Sequence, residues 1–336
     1  MKIGIIGSGQ VGIALAVFLM RADKDVLIFC DDQHLGVLKK NRNNISVKGL
    51  IEGDFKLNTT NDIKTFAMNV SIVFVVTPSY AHNHVYKNFI VHLLPNTVVV
   101  NITGNFSSLL YEDNYGRDKI LADITLSPIG VRYKNSILDI ICTKKTVMVA
   151  STTETKTETV YSKIRDLLPC QLTLGDPIQS GLTNVAGICH PGLLIFNAGR
   201  IGADEEDFYF NKDGITPEIA KLLTALDNER MQLLDRLGYP AKDLTLVMDE
   251  YYDEKFTTIY DFFKGSSVLN AQMICPKSMY GRYLEEDIPF VLIPWLQLAK
   301  KLGTDHLAIQ TLISSACLLT GKDYFSEAIN IAEFIN

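Results

Sequence analysis

Two patterns of apolar and polar residues divide the chain near residue 175. In the first part, near-continuous apolar runs occupy residues 2–6, 25–33, 70–79, 97–104 and 146–151. Runs of this kind are typical of parallel strands that are buried on both faces of a sheet. Helical periods separate several of them, for example at 13–20 and 155–169. The alternation predicts a doubly wound parallel α/β sheet domain over residues 1–175.

The second part lacks such runs. Its apolar residues follow the helical period of about 3.6 residues over 184–202, 216–237, 254–264, 288–302 and 306–320. The pattern predicts an all-α helical domain over residues 176–336. The longest apolar runs are shorter or more interrupted than the roughly 20 residues that cross a bilayer, so we expect no membrane span.

A glycine-rich turn follows the first predicted strand directly. It consists of Gly7, Ser8, Gly9, Gln10, Val11 and Gly12. In this setting the first glycine permits a tight turn, the second lets a diphosphate approach the backbone, and the third allows the helix to pack closely on the strand. The N–H groups at the start of the helix then face the phosphates. These six residues therefore predict a Rossmann-like dinucleotide site.

Acidic residues end the second predicted strand, about twenty residues after the glycines. An acid at this point binds the ribose hydroxyls and repels a 2′-phosphate, so Asp31 favours NAD(H), although NADP(H) is not excluded. The alternative is that Asp31 or Asp32 caps a helix that begins near Gln33. Thr77 and Pro78 end a third strand and belong to the same predicted cofactor site.

Composition and charge argue against several other classes of protein. The 32 basic and 38 acidic residues give a net charge of −6 without a basic stripe, which disfavours nucleic-acid binding. The six cysteines form no closely spaced pair and are expected to be reduced. Because the chain enters its first strand at once, we expect no secretory signal and a cytoplasmic location. His82 and His84 have no third ligand nearby in sequence, so we predict a surface helix start there and no metal.

A histidine interrupts an apolar helical segment of the second part. In GICHPGLLIFNAGR, residues 187–200, His190 precedes Pro191, which lacks an N–H and crowds the preceding turn. A helix that continues through Pro191 must kink there, and the neighbouring glycines are expected to ease the bend. The kink would aim His190 away from the regular helix surface, with Asn197 on the same face. The alternative is a histidine packed in the core.

Three longer blocks of the second part carry a resemblance to a known family. They are NVAGICHPGLLIFNAGRI, FYFNKDGITPEIAKLLTALDNERMQLLDRLG and SMYGRYLEEDIPFVLIPWLQLAKKLG, at residues 184–201, 208–238 and 278–303. The second contains an Asp-x-Glu-Arg helix and the third an Arg-Tyr-x-x-Glu-Asp-x-Pro core. In this order the blocks resemble the octopine/nopaline (opine) dehydrogenase family. Together with the glycine turn, the resemblance spans nearly the full chain.

The resemblance implies an NAD(P)-dependent oxidoreductase that condenses the amine of an amino acid with a 2-oxo acid such as pyruvate, giving an N-(carboxyalkyl)amino acid. By matching motif, it makes His190 the catalytic acid/base, Asp287 its carboxylate partner and Arg282 the binder of a substrate carboxylate. A histidine that titrates near neutral pH suits this chemistry. Alternatively, Asp287 only caps the following helix, and Glu285 or Glu286 takes its place as the partner of His190. A further alternative is that Arg282 only forms an ion pair with one of these two glutamates.

One segment departs from the family pattern. The family has an acidic residue and a Leu-Pro-Tyr-Ala-Cys-Arg segment that line the cofactor and oxo-acid sites. In LADITLSPIGVR, residues 121–132, Asp123 and Arg132 are retained, while Ile129 and Val131 replace the tyrosine and the cysteine. The resemblance thus adds Asp123 to the cofactor site and Arg132 to the substrate site. A more apolar lining would accept a bulkier oxo acid than pyruvate, or another substrate altogether.

Asn184, Asn197 and Lys277 complete the predicted substrate site, with Lys277 either pairing with an acidic group of the amino donor or simply solvated. Two other functions remain open. A ketopantoate-type or 2-oxo-acid reductase shares the architecture, needs no amine and usually relies on a lysine in its helical domain. A non-catalytic sensor would bind NAD(H) without turnover. The expected partners are an amino acid and a 2-oxo acid, and homodimerisation is left open.

Overall fold

The computed structural model describes residues 2–30, 43–134, 137–203, 207–270 and 274–335. The chain divides into two compact units, Met1–Ser180 and Gly181–Asn336. The sequence places this boundary after residue 175. Ser180 is grouped with the first unit, where its hydroxyl lies 2.9 Å from the hydroxyl of Thr125.

The first unit contains a sheet that is mostly parallel. The strands of this unit are β1 (Lys2–Ile6), β2 (Val26–Phe29), β3 (Asn44–Gly49), β4 (Gly53–Lys56), β5 (Thr59–Thr60), β6 (Val70–Val75), β7 (Val98–Ile102), β8 (Ile120–Ile124), β9 (Ile129–Lys134), β10 (Ile137–Thr143), β11 (Thr146–Ala150) and β12 (Gln171–Gly175). The eight-stranded sheet has the order β12–β11–β8–β7–β6–β1–β2–β5. Its β8–β11 pair is antiparallel and its other pairs are parallel.

Helices cover both faces of this sheet. They are α1 (Gln10–Arg21), α2 (Ile63–Asn69), α3 (His82–Asn88), α4 (Ser107–Leu110), α5 (Glu112–Tyr115) and α6 (Glu154–Ile164), with 3₁₀ turns at Ser79–Ala81 and Ile90–His92. Ile5 of β1 packs in one apolar cluster with residues of α1 and α6. Ile6 packs in another cluster with residues of α2 and α3. Successive strand residues point to opposite faces, so the apolar runs are continuous because both faces are buried. The predicted doubly wound fold is confirmed.

A second, four-stranded sheet was not predicted. Its order is β4–β3–β10–β9, and β3 pairs with β10 in parallel. In β3, Ile45 and Val47 are buried while the alternate residues are exposed. Ile45, Val47 and Ile140 join the same apolar cluster as α1. Short alternating strands give a weaker sequence pattern than the continuous runs of the main sheet.

The second unit is helical, as predicted. Its helices are α7 (Pro177–Leu182, which begins in the first unit), α8 (Ala186–Phe196), α9 (Ala198–Ala203), α10 (Phe210–Gly214), α11 (Pro217–Arg236), α12 (Leu244–Tyr252), α13 (Ile259–Gly265), α14 (Ser267–Asn270), α15 (Arg282–Glu285), α16 (Ile293–Leu302) and α17 (Leu307–Thr320). A π-helical turn covers Ile288–Leu292, and 3₁₀ turns cover Tyr324–Glu327 and Ala332–Phe334. Across the described ranges, no helix has both the length and the apolar character needed to cross a membrane.

The helix predicted over 254–264 is wrong in its bounds. The structure has α12 before this segment and α13 only from Ile259. Asp243 and Thr258 start these helices, because their side chains accept the backbone N–H groups of Leu246 and Asp261. Such N-caps override a weak apolar period.

Helix α8 continues through Pro191, and its glycines permit close packing. A Cβ at Gly187 would lie 2.7 Å from the side chain of Val291 in the π-helical turn. A Cβ at Gly192 would lie 2.3 Å from the side chain of Leu223 in α11. The structure therefore gives these glycines a packing role, whereas the sequence suggested that they ease a bend.

Candidate active site

The glycine turn of the first unit has the geometry that a dinucleotide requires. Gly7 has a φ of +118°, and a Cβ there would lie 2.5 Å from the carbonyl oxygen of Val76. A Cβ at Gly12 would lie 2.0 Å from the carbonyl oxygen of Gly7. At Gly9, by contrast, an added Cβ would have no described atom within 4 Å apart from those of Gly9 and its two chain neighbours. Gly7 and Gly12 thus allow close packing, while the backbone at Gly9 faces open space.

The start of α1 completes this anion site. Gly9 is the N-cap, and among the described residues no side chain caps the helix. The first turn, which includes Gln10 and Val11, contains no acidic residue. Its N–H groups and the positive end of the helix dipole are therefore suited to a diphosphate beside Ser8 and Gly9. β1 lies between β2 and β6, where the strand order reverses and doubly wound sheets bind their ligands.

Thr77 and Pro78 lie beside the glycine turn. A Cβ at Gly7 would lie 3.2 Å from Cγ2 of Thr77, so the structure brings these predicted residues together. The hydroxyl oxygen of Thr77 is buried and has no hydrogen-bond partner among the described residues. Leaving a buried hydroxyl unpaired costs about 1–3 kcal/mol, so a ligand that pairs with it would be stabilised. Asp31, the predicted ribose ligand, and Asp32 lie outside the described residues.

Substitutions at Gly9 and Gly12 should separate ligand approach from packing. In Gly9→Ala the methyl group meets no described atom, so we expect the free energy of unfolding to change by less than about 0.5 kcal/mol. The same methyl occupies the approach of a phosphate, so NADH affinity should fall at least about tenfold, or about 1.4 kcal/mol. Gly12→Ala should lower the free energy of unfolding by about 1–3 kcal/mol through overpacking. Urea unfolding and NADH fluorescence titration measure both, and unchanged affinity in Gly9→Ala would contradict the prediction.

Asp123 is buried beneath the end of β8. Its Oδ1 accepts from Nδ2 of Asn101 at 2.9 Å, and its Oδ2 accepts from the hydroxyl of Ser108 at 2.8 Å. The backbone N–H of Ser108 lies 3.0 Å from both oxygens. Burial raises the pKa of Asp123 to about 6, although these hydrogen bonds act to lower it. The carboxylate thus holds the start of α4, and its predicted cofactor contact stays a prediction.

The raised pKa of Asp123 has a consequence for stability. In the unfolded chain its pKa is near the ordinary aspartate value of 3.8. The folded state therefore binds the proton more tightly, and this contribution to stability is complete below about pH 4 and is lost as the pH rises through 6. Relative to Asp123→Asn, the wild type should lose up to about 3 kcal/mol between about pH 4 and pH 7. Urea unfolding at both pH values measures this difference, and parallel pH profiles of the two proteins would contradict it.

The connection from β7 to α4 holds a cluster that the sequence analysis missed. Three non-glycine residues there have positive φ, namely Thr103 (60°), Asn105 (46°) and Phe106 (68°). Nδ2 of Asn105 donates to the hydroxyl of Ser79 at 2.8 Å. Nδ1 of His82 lies 2.6 Å from the hydroxyl of Ser107. His82 does begin α3, but it is buried and not on the surface as expected. Strained backbone of this kind clusters at functional sites.

His190 and Asp287 form a hydrogen-bonded pair in the second unit. Nδ1 of His190 lies 2.8 Å from Oδ2 of Asp287. The carboxylate is buried, whereas the imidazole is 31% exposed, so the alternative of a sealed core histidine is wrong. Burial raises the pKa of Asp287, and the hydrogen bond from His190 opposes this. Because an ionised carboxylate only accepts, it favours the tautomer in which Nδ1 carries the proton and Nε2 is the base.

Asp287 does not cap the next helix. It has helical backbone angles, and its side chain caps no N–H of the π-helical turn that follows. That turn is stabilised by its own backbone, since the N–H of Ile293 donates to the carbonyl of Ile288. Pro294 has no N–H to continue an α-helical ladder, and a π-helical turn accommodates this loss. The capping alternative is therefore wrong.

Arg282 forms an ion pair with Glu286, as the alternative sequence interpretation proposed. Its Nε donates to Oε2 of Glu286. Glu286 is 2% exposed, whereas the side chain of Arg282 is 56% exposed. Glu285 instead lies 3.9 Å from Nζ of Lys322. Arg282 therefore has one edge held by a buried carboxylate, while the rest of its fork extends toward solvent.

Tyr283 was not singled out from the sequence. Its ring stacks on the imidazole of His190, with centroids 4.2 Å apart and planes at 21°. The ring of Tyr283 also stacks on that of Phe210, with centroids 5.4 Å apart and planes at 15°. The position of Tyr283 beside Arg282 in the third sequence block was visible, but its contact with His190 depends on the packing of α15 on α8.

The two predicted asparagines stabilise helix ends. Asn184 is buried, and its Oδ1 accepts the N–H of Ala186 at the start of α8. Nδ2 of Asn197 donates to the carbonyls of Leu193 and Gly214, at 2.8 and 2.9 Å. These contacts account for both residues structurally, and their contact with substrate stays a prediction.

The two remaining predicted substrate residues are Arg132 and Lys277. Arg132 is in β9, opposite Asp139 of β10. Lys277 forms a 2.7 Å ion pair with Asp207 and lines a pocket with Arg200 and Phe208. Their roles toward substrate also stay predictions.

Ile129 and Val131 pack toward the core of the first unit to different extents. Ile129 is 2% exposed and lies in the same core cluster as α1, and Val131 packs against that cluster. Ile129 is therefore a core residue, while Val131 is partly buried, and the apolar oxo-acid lining stays a prediction.

The Asp-x-Glu-Arg motif of α11 is structural. Asp227 accepts from Nε of Arg230 at 2.8 Å and from the N–H of Leu244 at 2.7 Å. Arg230 is fully buried and also donates to the carbonyls of Leu182 and Lys242. Glu229 accepts the N–H groups of Ala308 and Ile309 at the start of α17. The motif thus joins three helix termini of the second unit.

Two family models match different parts of the chain. Residues 173–320 match the family model described as NAD/NADP octopine/nopaline dehydrogenase, alpha-helical domain. Residues 2–115 match the model described as NAD-dependent glycerol-3-phosphate dehydrogenase N-terminus. The curated "Protein ocs" of Agrobacterium tumefaciens (strain Ach5) is 22% identical, and the match covers 96% of this chain and 92% of that protein. These matches support the nicotinamide cofactor predicted from the glycine turn.

Solved structures share the fold. Octopine dehydrogenase with NADH and L-arginine has a TM-score of 0.74 at 18% identity, covering 97% of this chain and 91% of that one. Its complex with NADH and pyruvate has a TM-score of 0.72 at 17% identity, covering 97% and 90%. A 2-dehydropantoate 2-reductase from Geobacter metallireducens has a TM-score of 0.67 at 13% identity, covering 94% and 99%. Residues 173–320 thus match the helical domain of NAD/NADP octopine/nopaline dehydrogenases, and the solved structures share the fold of the chain.

Proposed function

We propose that this protein reductively condenses the amine of an amino acid with a 2-oxo acid, using NAD(H), to give an N-(carboxyalkyl)amino acid and water. The observation that carries the proposal is the pair of a partly exposed His190 and a buried Asp287, 2.8 Å apart. The octopine dehydrogenase structures with L-arginine and with pyruvate supply the two substrate classes.

His190 is the group that moves protons. An amino acid must lose a proton before its nitrogen attacks a carbonyl, and the carbinolamine that results must gain one to expel water. With Nδ1 held by Asp287, Nε2 of His190 accepts the first proton and returns the second. The poorly solvated carboxylate of Asp287 orients the ring and stabilises the imidazolium between these steps.

Arg282 orients the substrate by its carboxylate. A guanidinium binds a carboxylate through two parallel N–H donors, which fixes direction as well as position. Glu286 holds the Nε edge of Arg282, so the fork is presented in one orientation on an exposed side chain. This arrangement supports a role for Arg282 in substrate binding and assigns Glu286 to holding it.

The first unit holds the cofactor in this proposal. The turn from Gly7 to Gly12 binds the diphosphate through backbone N–H groups, and Thr77 and Pro78 lie beside it. When bound, the reduced nicotinamide supplies the hydride that reduces the imine carbon. Asp31 favours NAD(H) because its carboxylate binds the ribose hydroxyls, and NADP(H) is the alternative cofactor. We expect the protein to act in the cytoplasm.

A matrix of amines and 2-oxo acids, assayed with NADH and with NADPH, tests the proposal. Consumption of reduced cofactor that requires both substrates is expected, and mass spectrometry should find a product equal to amine plus oxo acid, minus water, plus two hydrogen atoms. Consumption with an oxo acid alone, giving a hydroxy acid, would favour the ketopantoate-type alternative. The alternative is kept because the chain shares the fold of the Geobacter reductase. Tight cofactor binding without any turnover would favour a sensor.

A further inference from the structure

Three aromatic rings from separate helices form a stack that ends on His190. The imidazole is on α8, Tyr283 is on α15 and Phe210 begins α10. His190 and Tyr283 have centroids 4.2 Å apart and planes inclined by 21°. Tyr283 and Phe210 have centroids 5.4 Å apart and planes inclined by 15°. Phe210 is fully buried, so the stack is anchored at one end in the core of the second unit.

The hydrogen bond to Asp287 restrains the imidazole only in part. A hydrogen bond tolerates bending of some tens of degrees, so the ring can still rock about its Cβ–Cγ bond. This rocking would swing Nε2 and break the alignment with a reacting nitrogen. An aromatic surface parallel to the imidazole blocks the rocking, because rotation of either ring would force the faces into contact.

We propose that Tyr283 is a positioning residue for His190: its ring, backed by Phe210, fixes the plane of the imidazole while Asp287 fixes its direction. The two restraints together leave Nε2 pointing one way from a side chain that is 31% exposed. The inference rests on the proposed acid/base role of His190. It also gives Tyr283 a role beside that of its neighbour Arg282, because both residues belong to the same short helix.

Three variants test the proposal. Tyr283→Leu removes the flat surface, and we expect kcat to fall about 10- to 100-fold, the loss that misplacement by about 1 Å can cause. The KM for NADH should stay within about twofold. Tyr283→Phe keeps the ring and should retain at least half of the wild-type kcat. Tyr280→Leu is the matched control, because Tyr280 is 65% exposed in the same segment.

A spectroscopic readout makes the test independent of turnover. Imidazole ¹⁵N spectra of the resting protein, assigned with His190→Asn, report which ring nitrogen carries the proton. At a pH at which the spectra show a neutral imidazole, the wild type and Tyr283→Phe should show Nδ1–H alone, whereas Tyr283→Leu should show a mixture of tautomers. If no substrate pair is turned over, the proposed function fails, and these spectra still decide the role of Tyr283.

Two outcomes would overturn the inference. One is a Tyr283→Leu protein with wild-type kcat and an unchanged imidazole spectrum. The other is a Tyr283→Phe protein that loses as much kcat as Tyr283→Leu, since the hydroxyl and not the ring surface would then matter. If Tyr283→Leu does not fold, Phe210→Leu carries the test, with a smaller fall in kcat and partial tautomer mixing expected and no change contradicting it.

Discussion

His190→Asn is expected to lower kcat/KM of the amine-dependent reaction by about 10²–10⁴-fold, the range that general acid–base catalysis supplies. Asparagine can still donate to Asp287, but it cannot accept a proton from an amine and return it. NADH affinity should stay within about twofold of wild type, because the predicted cofactor residues belong to the first unit and His190 to the second. Steady-state kinetics over the substrate matrix and NADH fluorescence titration measure the two effects separately.

His84→Asn provides the control for this substitution. His84 is exposed on α3, where its Nδ1 lies 3.1 Å from Nδ2 of Asn88. It should behave like the wild type in both assays. A His190→Asn protein with more than about a tenth of the wild-type kcat/KM would assign the proton transfer to another group.

Asp287→Asn extends the same argument. Its amide can orient the imidazole but cannot stabilise the imidazolium by charge, so we expect a smaller loss than in His190→Asn. The double variant should lose no more than His190→Asn alone, because groups that act as a unit are strongly non-additive. Losses that multiply would show that the two residues act independently.

The sequence predicted best those features that depend on local pattern. The run from β1 through Gly12 into α1 is contiguous, so its apolar strand, its turn and its helix could be interpreted together. The second sheet was missed because β3 pairs with β10, which is distant along the chain, and β3 buries only alternate residues. Pairing between distant strands leaves no local trace in the sequence.

The candidate site was predictable to the level of residues but only in part to the level of contacts. The motif resemblance paired His190 with Asp287, and the structure has this contact, whereas the sequence left open which acid would pair with Arg282. Helix α15 and the residues after it decide this, because Glu286 lies one turn from Arg282, whereas Asp287 lies against α8. Tyr283 was missed for the same reason, since a stacked ring is a property of packing between helices.

Arg230→Met is expected to lower the free energy of unfolding of the second unit by about 3–5 kcal/mol, the cost of leaving a buried charge without its partner. Arg230 is fully buried and pairs with Asp227, whose pKa is already raised by burial even with the guanidinium present. Without Arg230, the carbonyls of Leu182 and Lys242 also lose a donor. Urea unfolding measures the loss, and Arg236→Met, at an exposed position of the same helix, is the matched control.

The double variant Asp227→Leu with Arg230→Met separates charge from packing. If the cost of Arg230→Met comes from the unpaired carboxylate, removal of that carboxylate should restore part of the lost stability. The N–H of Leu244 would then remain without the acceptor that it has in Asp227, so recovery should be incomplete. A cost below about 1 kcal/mol for Arg230→Met would mean that water reaches Asp227 once the guanidinium is gone. In that case the charged pair would not be what joins α11 to the end of α7 and the start of α12, and these helices would owe their positions mainly to apolar packing.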